Sequence, residues 1–134
     1  MLKALVIGAI NWDINLFVKE FPRGGEEVVV TRIARVPGGK AGNVAVAAAR
    51  LLGRGRIALI GGLGKDSIAS EHVRIFEQEG VVVSGLKFNE NIESGQAYIV
   101  IDGKGENIIH TYFGANASVT PEDLNAPERR KLIS

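Results

Sequence analysis

The chain has 134 residues, 46% hydrophobic and 23% charged, which is one domain's worth of ordinary globular composition. Its longest apolar runs, such as Leu5–Ile10, fall far short of the roughly 20 residues that cross a bilayer, and Asn11, Trp12 and Asp13 interrupt the N-terminus before a secretory signal can form. Sixteen basic residues against fifteen acidic ones give no electrostatic reason for a nucleic-acid or membrane-surface partner, and the lack of cysteine excludes disulfides and thiolate metal sites and fits a reducing, cytoplasmic compartment.

Glycine is the outlier, at 17 of 134 residues, and it falls at the ends of apolar segments, as turns and close backbone approaches do. Leu2–Gly8 is a nearly continuous apolar run stopped by glycine, which predicts a strand buried on both faces. Asn11, Trp12 and Asp13 then read as a loop at the C-terminal end of that strand. Val28–Val36 mixes apolar and polar residues before Pro37 and predicts a half-exposed strand. Asn43–Leu52 is alanine-rich with Gly53 behind it, a helix with a glycine stop. Ile57–Ile60 is a second buried strand. Asp66 or Ser67 caps a helix to about Glu79, with Ala69, Val73 and Phe76 on one face and Gly80 as its stop. Val81–Val83 predicts another short strand. Gln96–Ile101 and Asn107–Phe113 flank Asp102-Gly103-Lys104-Gly105, a hairpin pattern. Thr120-Pro121-Glu122-Asp123 opens a last helix that Pro127 soon interrupts. The order predicts an α/β sheet carrying a β projection, with the chain stopping as its last helix begins, like the front portion of something longer.

Several motif matches carry no function. Gly53-Arg54-Gly55-Arg56 spells part of a dinucleotide fingerprint but follows a helix and precedes a strand, the reverse of what pyrophosphate binding needs. Gly39-Lys40 and Gly64-Lys65 lack the remainder of a Walker A loop. His72 and His110 have no partner at metal-ligand spacing. Two places carry sharper signals. Gly38-Gly39-Lys40-Ala41-Gly42-Asn43 runs into a helix start, so first-turn N–H groups and small residues can face a ligand; a tight strand-to-helix turn explains the same residues. The two readings separate at Gly39. A glycine needed for chain geometry costs stability when replaced, whereas one needed for ligand approach costs only binding. Asp13 can hold two vicinal hydroxyls, or it can be a cap or turn aspartate.

Taken together, Leu5-Val6-Ile7-Gly8-Ala9-Ile10-Asn11-Trp12-Asp13, Phe21-Pro22-Arg23-Gly24-Gly25-Glu26, the Gly38–Ala45 stretch, Ile60–Asp66, Ser94-Gly95-Gln96-Ala97 and Gly114-Ala115-Asn116 resemble, in order, the opening of ribokinase-like carbohydrate kinases of the phosphofructokinase-B type. The match is nearest to ribokinases through Asn-x-Asp and Phe-Pro-x-x-Gly-Glu. The resemblance implies an α/β fold: a ribokinase-like sheet flanked by helices, with a projecting β-sheet lid from residues 11–37 and 95–113. Residues 1–134 would be the N-terminal, substrate-binding part, truncated before the nucleotide-binding half.

It also implies a function, namely transfer of a phosphoryl group from ATP, with magnesium, to a hydroxyl of a pentose or related sugar. Asn11 and Asp13 would bind sugar hydroxyls, Gly39, Lys40 and Asn43 would hold the other side, and Ala97 and Ile99 would pack against it. No catalytic residue is assigned, because the family's Gly-Ala-Gly-Asp base turn lies beyond Ser134. ATP and magnesium would therefore serve the complete enzyme, and this chain alone would bind weakly and not turn over. A homodimer through the β lid is also implied. The alternatives are a non-catalytic carbohydrate- or nucleoside-binding module, or a nucleoside kinase with the same front end.

Overall fold

The computed structural model describes residues 1–134 in full. In chain order its elements are β1 (Ala4–Ile7), β2 (Asn11–Val18), β3 (Val30–Gly38), α1 (Lys40–Leu52), β4 (Ile57–Ile60), β5 (Gly62–Gly64), α2 (Ser67–Gln78), β6 (Lys87–Asn89), β7 (Gln96–Ile101), β8 (Asn107–Tyr112), 3₁₀ turns at Gly114–Ser118 and Pro121–Asn125, and α3 (Pro127–Ile133). β1 pairs in parallel with β4, β5 pairs in parallel with β6, and β3-β2-β7-β8 form a separate four-stranded sheet.

β4 is completely buried, as its unbroken apolar run requires. β1 departs from the expected burial on both faces: Ala4 and Ile7 are exposed, because β4 is its only strand partner. Val81–Val83 is not a full strand either. It makes one parallel bridge, Val82 to Ala58, before the Leu86 N–H donates to the Val83 carbonyl and turns the chain away.

α1 lays Ala41, Ala45 and Ala49 against the buried sheet, four residues apart on one face. Methyl groups at these positions let the helix approach closely. α1 starts at Lys40, three residues before the predicted Asn43. The reason is Gly39, whose φ of 89° lets the chain turn out of β3 directly into the helix. α2 is capped by Asp66, whose Oδ1 accepts the Ala69 N–H at 2.8 Å. At the far end Pro127 opens α3 instead of interrupting a helix, since its missing N–H is harmless in a first turn. The predicted helix at Thr120 is a 3₁₀ turn closed by a Thr120/Asp123 capping box.

His72 of α2 is fully buried, stacked on Phe76 with ring centroids 5.5 Å apart and edge-on to Trp12 at 5.2 Å. Neither ring nitrogen makes a hydrogen bond. Burial pushes its pKa down to about 4, with the Asn11 main chain and the charges of Asp66 and Glu71 acting weakly the other way. An unfolded histidine takes its proton near pH 6.5, so stability present above that value is lost as the pH falls toward 4. The loss accumulates at up to about 1.4 kcal/mol per pH unit. His72→Leu is expected to flatten the melting temperature between pH 6.5 and 4; a variant curve as steep as the parent's would show that another group titrates there.

The four-stranded sheet contains the predicted hairpin, β7 and β8, around a turn in which Asp102 Oδ1 accepts the Lys104 and Glu106 N–H groups. Its centre is β2, antiparallel to β3 and parallel to β7. The Asn11–Asp13 segment therefore begins a strand instead of lying in a loop. This also removes the cap or turn reading of Asp13.

Candidate functional site

Strand register decides which side chains share a face of this sheet. Val36, Asp13, Ala97 and Thr111 stand opposite one another in one rung across β3, β2, β7 and β8. Ala34, Asn15, Ile99 and Ile109 form the rung two residues further along. Asn11, Asp13, Ala97 and Ile99 thus lie on one face, although Asn11 and Ile99 are 88 positions apart in the chain.

Asp13 is half-buried and lies against the main chain of Gly38, where a Cβ would overlap its carboxylate. Burial raises its pKa, and no hydrogen bond or neighbouring charge pulls it back. A carboxylate taken partly out of water without a partner is an unfavourable arrangement that a ligand donor can relieve. Gly38 thereby joins the candidate site, although its local sequence places it only in the turn. Its signal was its position opposite Asn11 once β2 and β3 pair.

The glycine turn differs from the expectation that its first-turn amides face a ligand. The Ala41 and Gly42 N–H groups both donate to the Ala9 carbonyl, at 3.2 and 3.4 Å, and the Asn43 N–H closes the first turn on the Gly39 carbonyl. These donors tie α1 to the β1–β2 connection. The Gly39 N–H makes no hydrogen bond within the chain, and the Lys40 side chain is exposed and takes part in none of the ion pairs.

Asn43 is exposed and lines, with Gly38, His72 and Phe76, a cavity of about 350 Å³ between α1 and α2. The other six predicted residues do not line that cavity. Asn11, Asp13, Ala97 and Ile99 are brought together by the sheet, Gly39 and Lys40 adjoin them through Gly38, and Asn43, in the first turn of α1, lines the cavity that Gly38 also lines. A wider hollow of about 770 Å³ at the start of α2 is a helix N-terminus whose Asp66 is already engaged by Ala69 and Ser94. No group of three or more His, Cys, Asp or Glu side chains is placed to hold a metal ion.

Asn116 also joins the candidate site through the fold and not through local sequence. Its Nδ2 donates to Asn11 Oδ1 at 2.8 Å, and its amide bridges the Ile10 main chain.

Comparison with known proteins places this arrangement. The ribokinase of Bacillus subtilis is 35% identical over 134 residues, covering 99% of this chain and 45% of that protein. The structure of ribokinase from Giardia lamblia superposes with a TM-score of 0.84 at 29% identity, covering 92% of this chain and 37% of that one. Arabidopsis thaliana ribokinase, solved with ribose and ATP, gives a TM-score of 0.80 at 25% identity, covering 93% of this chain and 42% of the other. The chain therefore spans less than half the length of these relatives. The sequence profile of the pfkB family carbohydrate kinases matches residues 1–134 without remainder. The chain belongs to the pfkB family of carbohydrate kinases.

Proposed function

We propose that residues 1–134 are the sugar-binding part of an ATP- and magnesium-dependent kinase that phosphorylates a hydroxyl of a pentose or related sugar. The observation that carries this reading is the Asp13 carboxylate, half-buried and without a protein partner, beside Asn11 and opposite Ala97 on one face of the sheet. Asp13 accepts hydrogen bonds from sugar hydroxyls and Asn11 donates to one. Lys40 reaches in from the turn, and Ala97 and Ile99 give the carbon face of the sugar an apolar surface. Asn43 joins them by closure of the sheet over the turn, which the lid segments 11–37 and 95–113 provide. The general base, the nucleotide site and the magnesium ligands come from outside residues 1–134, and the protein works in the cytoplasm. Phosphoryl transfer is largely positioning and charge neutralisation, so this part supplies the first of those.

The 134-residue chain is expected to bind D-ribose weakly, with backbone amide shifts at Asn11, Asp13, Ala97 and Ile99, and to transfer no phosphoryl group from ATP. Ribose that moves none of those signals at saturating concentration would remove the site. A nucleoside that moves them where ribose does not would turn the reading to a nucleoside kinase.

The same sheet is the proposed dimer contact. Val36, Ile109, Ile33, Tyr98 and Ile108 are exposed across its two faces, an apolar surface of the kind that a second copy covers. Light scattering at micromolar concentration is expected to give twice the monomer mass. A clean monomer would end the dimer proposal and leave the sugar site standing.

A further inference from the structure

The sugar-binding reading gives no role to Asn116, and the inference drawn here rests on that reading. Asn116 lies in the 3₁₀ turn Gly114–Ser118, 105 residues along the chain from Asn11. Its Oδ1 accepts the Ile10 N–H at 2.9 Å, and its Nδ2 donates to the Ile10 carbonyl at 3.1 Å. A main-chain N–H can only donate and a carbonyl can only accept, so the Asn116 amide fits one way round. The other Nδ2 hydrogen goes to Asn11 Oδ1 at 2.8 Å. Asn11 inherits its orientation from this contact. Its oxygen is engaged on the inner side, and its own Nδ2 is left as a donor with no protein acceptor.

Gly95 belongs to the same arrangement. A Cβ there would overlap Asn116 Nδ2 and come within 2.6 Å of Asn11 Oδ1, so the absence of a side chain is what lets the two amides meet. The Gly95 carbonyl also accepts the Trp12 N–H at 3.0 Å, which holds the start of β2 beside that gap.

We propose that Asn116 is a positioning residue that locks the Asn11 carboxamide as a donor beside the acceptor Asp13. A donor and an acceptor two residues apart on one strand face suit two neighbouring hydroxyl groups, one accepting from Asn11 and the other donating to Asp13. With Asn11 the other way round, its oxygen and the Asp13 carboxylate are both acceptors, so both hydroxyls can only donate and neither oxygen receives a hydrogen bond from this face. Asn116 touches no substrate; it acts through Asn11.

Asn116→Asp keeps the acceptor for Ile10 and replaces the donor facing Asn11 with an oxygen. Side-chain amide spectra of the 134-residue chain are expected to show the Asn11 NH₂ pair displaced in this variant, with D-ribose affinity lowered at least tenfold. Asn11→Ala is expected to lose a similar factor, and the double variant no more than the larger single loss. Asn116→Ala, which removes the donor without adding a charge, gives the same readings if the aspartate variant does not fold. An unmoved Asn11 amide pair, or single losses that multiply in the double variant, overturns the proposal. Failure of the parent chain to bind ribose overturns the sugar reading instead, and the Asn11 spectrum still decides the amide lock.

Discussion

Gly39→Ala is expected to destabilise the chain by about 2–5 kcal/mol whether or not a sugar is present, lowering the melting temperature by roughly 10 °C or more. The two costs have separate origins. Gly39 has φ of 89°, a left-handed conformation that an L side chain resists. A Cβ built there would also lie 2.6 Å from the Ala9 carbonyl oxygen, 2.7 Å from the Asn11 nitrogen and 2.9 Å from the Ile10 Cα. All three are main-chain atoms of the β1–β2 connection or of the first residue of β2, which cannot swing aside as the tip of a side chain can. That connection also takes the Ala41 and Gly42 N–H groups, so pushing it away strains the start of α1 as well. Thermal melts with and without ribose test this. A variant that melts like the parent and loses only sugar would show that the turn is glycine for the ligand and not for the chain. Lys40→Met is the contrasting case, because Lys40 is exposed and the change keeps the apolar stem. It is expected to leave the melt unchanged and weaken sugar binding.

Local chemistry accounts for what the sequence could reveal of this fold. The Asp66 cap, the Gly80 stop of α2 and the turn chemistry between β7 and β8 act within a few residues, and each stands where its residues indicate. β2 carries two competing signals. Asn11, Asp13 and Asn15 alternate with Trp12, Ile14 and Leu16, the period of a half-buried strand, while polar residues just after a glycine are equally the pattern of a loop. β5 and β6 have three residues each and no pattern at that length. The glycine turn shows a different limit. Small residues and free amides before a helix are equally suited to a ligand and to a neighbouring carbonyl, and only the tertiary fold shows that the Ala41 and Gly42 amides go to Ala9. Asn116 and Gly38 depend on partners 105 and 25 positions away, so their roles were carried by the fold and not by any local motif.

Replacing Asp13 is expected to weaken sugar binding and, at the same time, to stabilise the sugar-free chain. Losing charge-assisted hydrogen bonds to hydroxyls costs about 1.5–3 kcal/mol, roughly 10- to 150-fold in affinity. Asp13→Asn and Asp13→Ala both remove that charge. The gain in stability follows from the direction of the pKa shift. Folding raises the Asp13 pKa above its ordinary 3.8 through burial alone, so the folded state favours the neutral carboxyl. The stabilising contribution of this group is fully present below pH 3.8 and is lost as the pH rises through the folded pKa. At pH 7 the ionised carboxylate is a net cost, which the asparagine variant avoids. Asp13→Asn should therefore melt above the parent at pH 7, with the difference shrinking as the pH falls toward 4. A structural aspartate would show the opposite, a lower melt with unchanged affinity. Gly38→Ala tests the same carboxylate from the other side. Gly38 is not among the glycines with positive φ, and the added methyl meets chiefly the Asp13 side chain. Displacing that carboxylate should reproduce most of the affinity loss of Asp13→Ala while sparing the backbone that Gly39→Ala strains. Calorimetric titration of the three variants against ribose, beside melts at pH 7 and pH 4, separates the two roles. Normal affinity in both Asp13→Asn and Gly38→Ala would take Asp13 out of the site, and the sugar reading would lose the observation on which it stands.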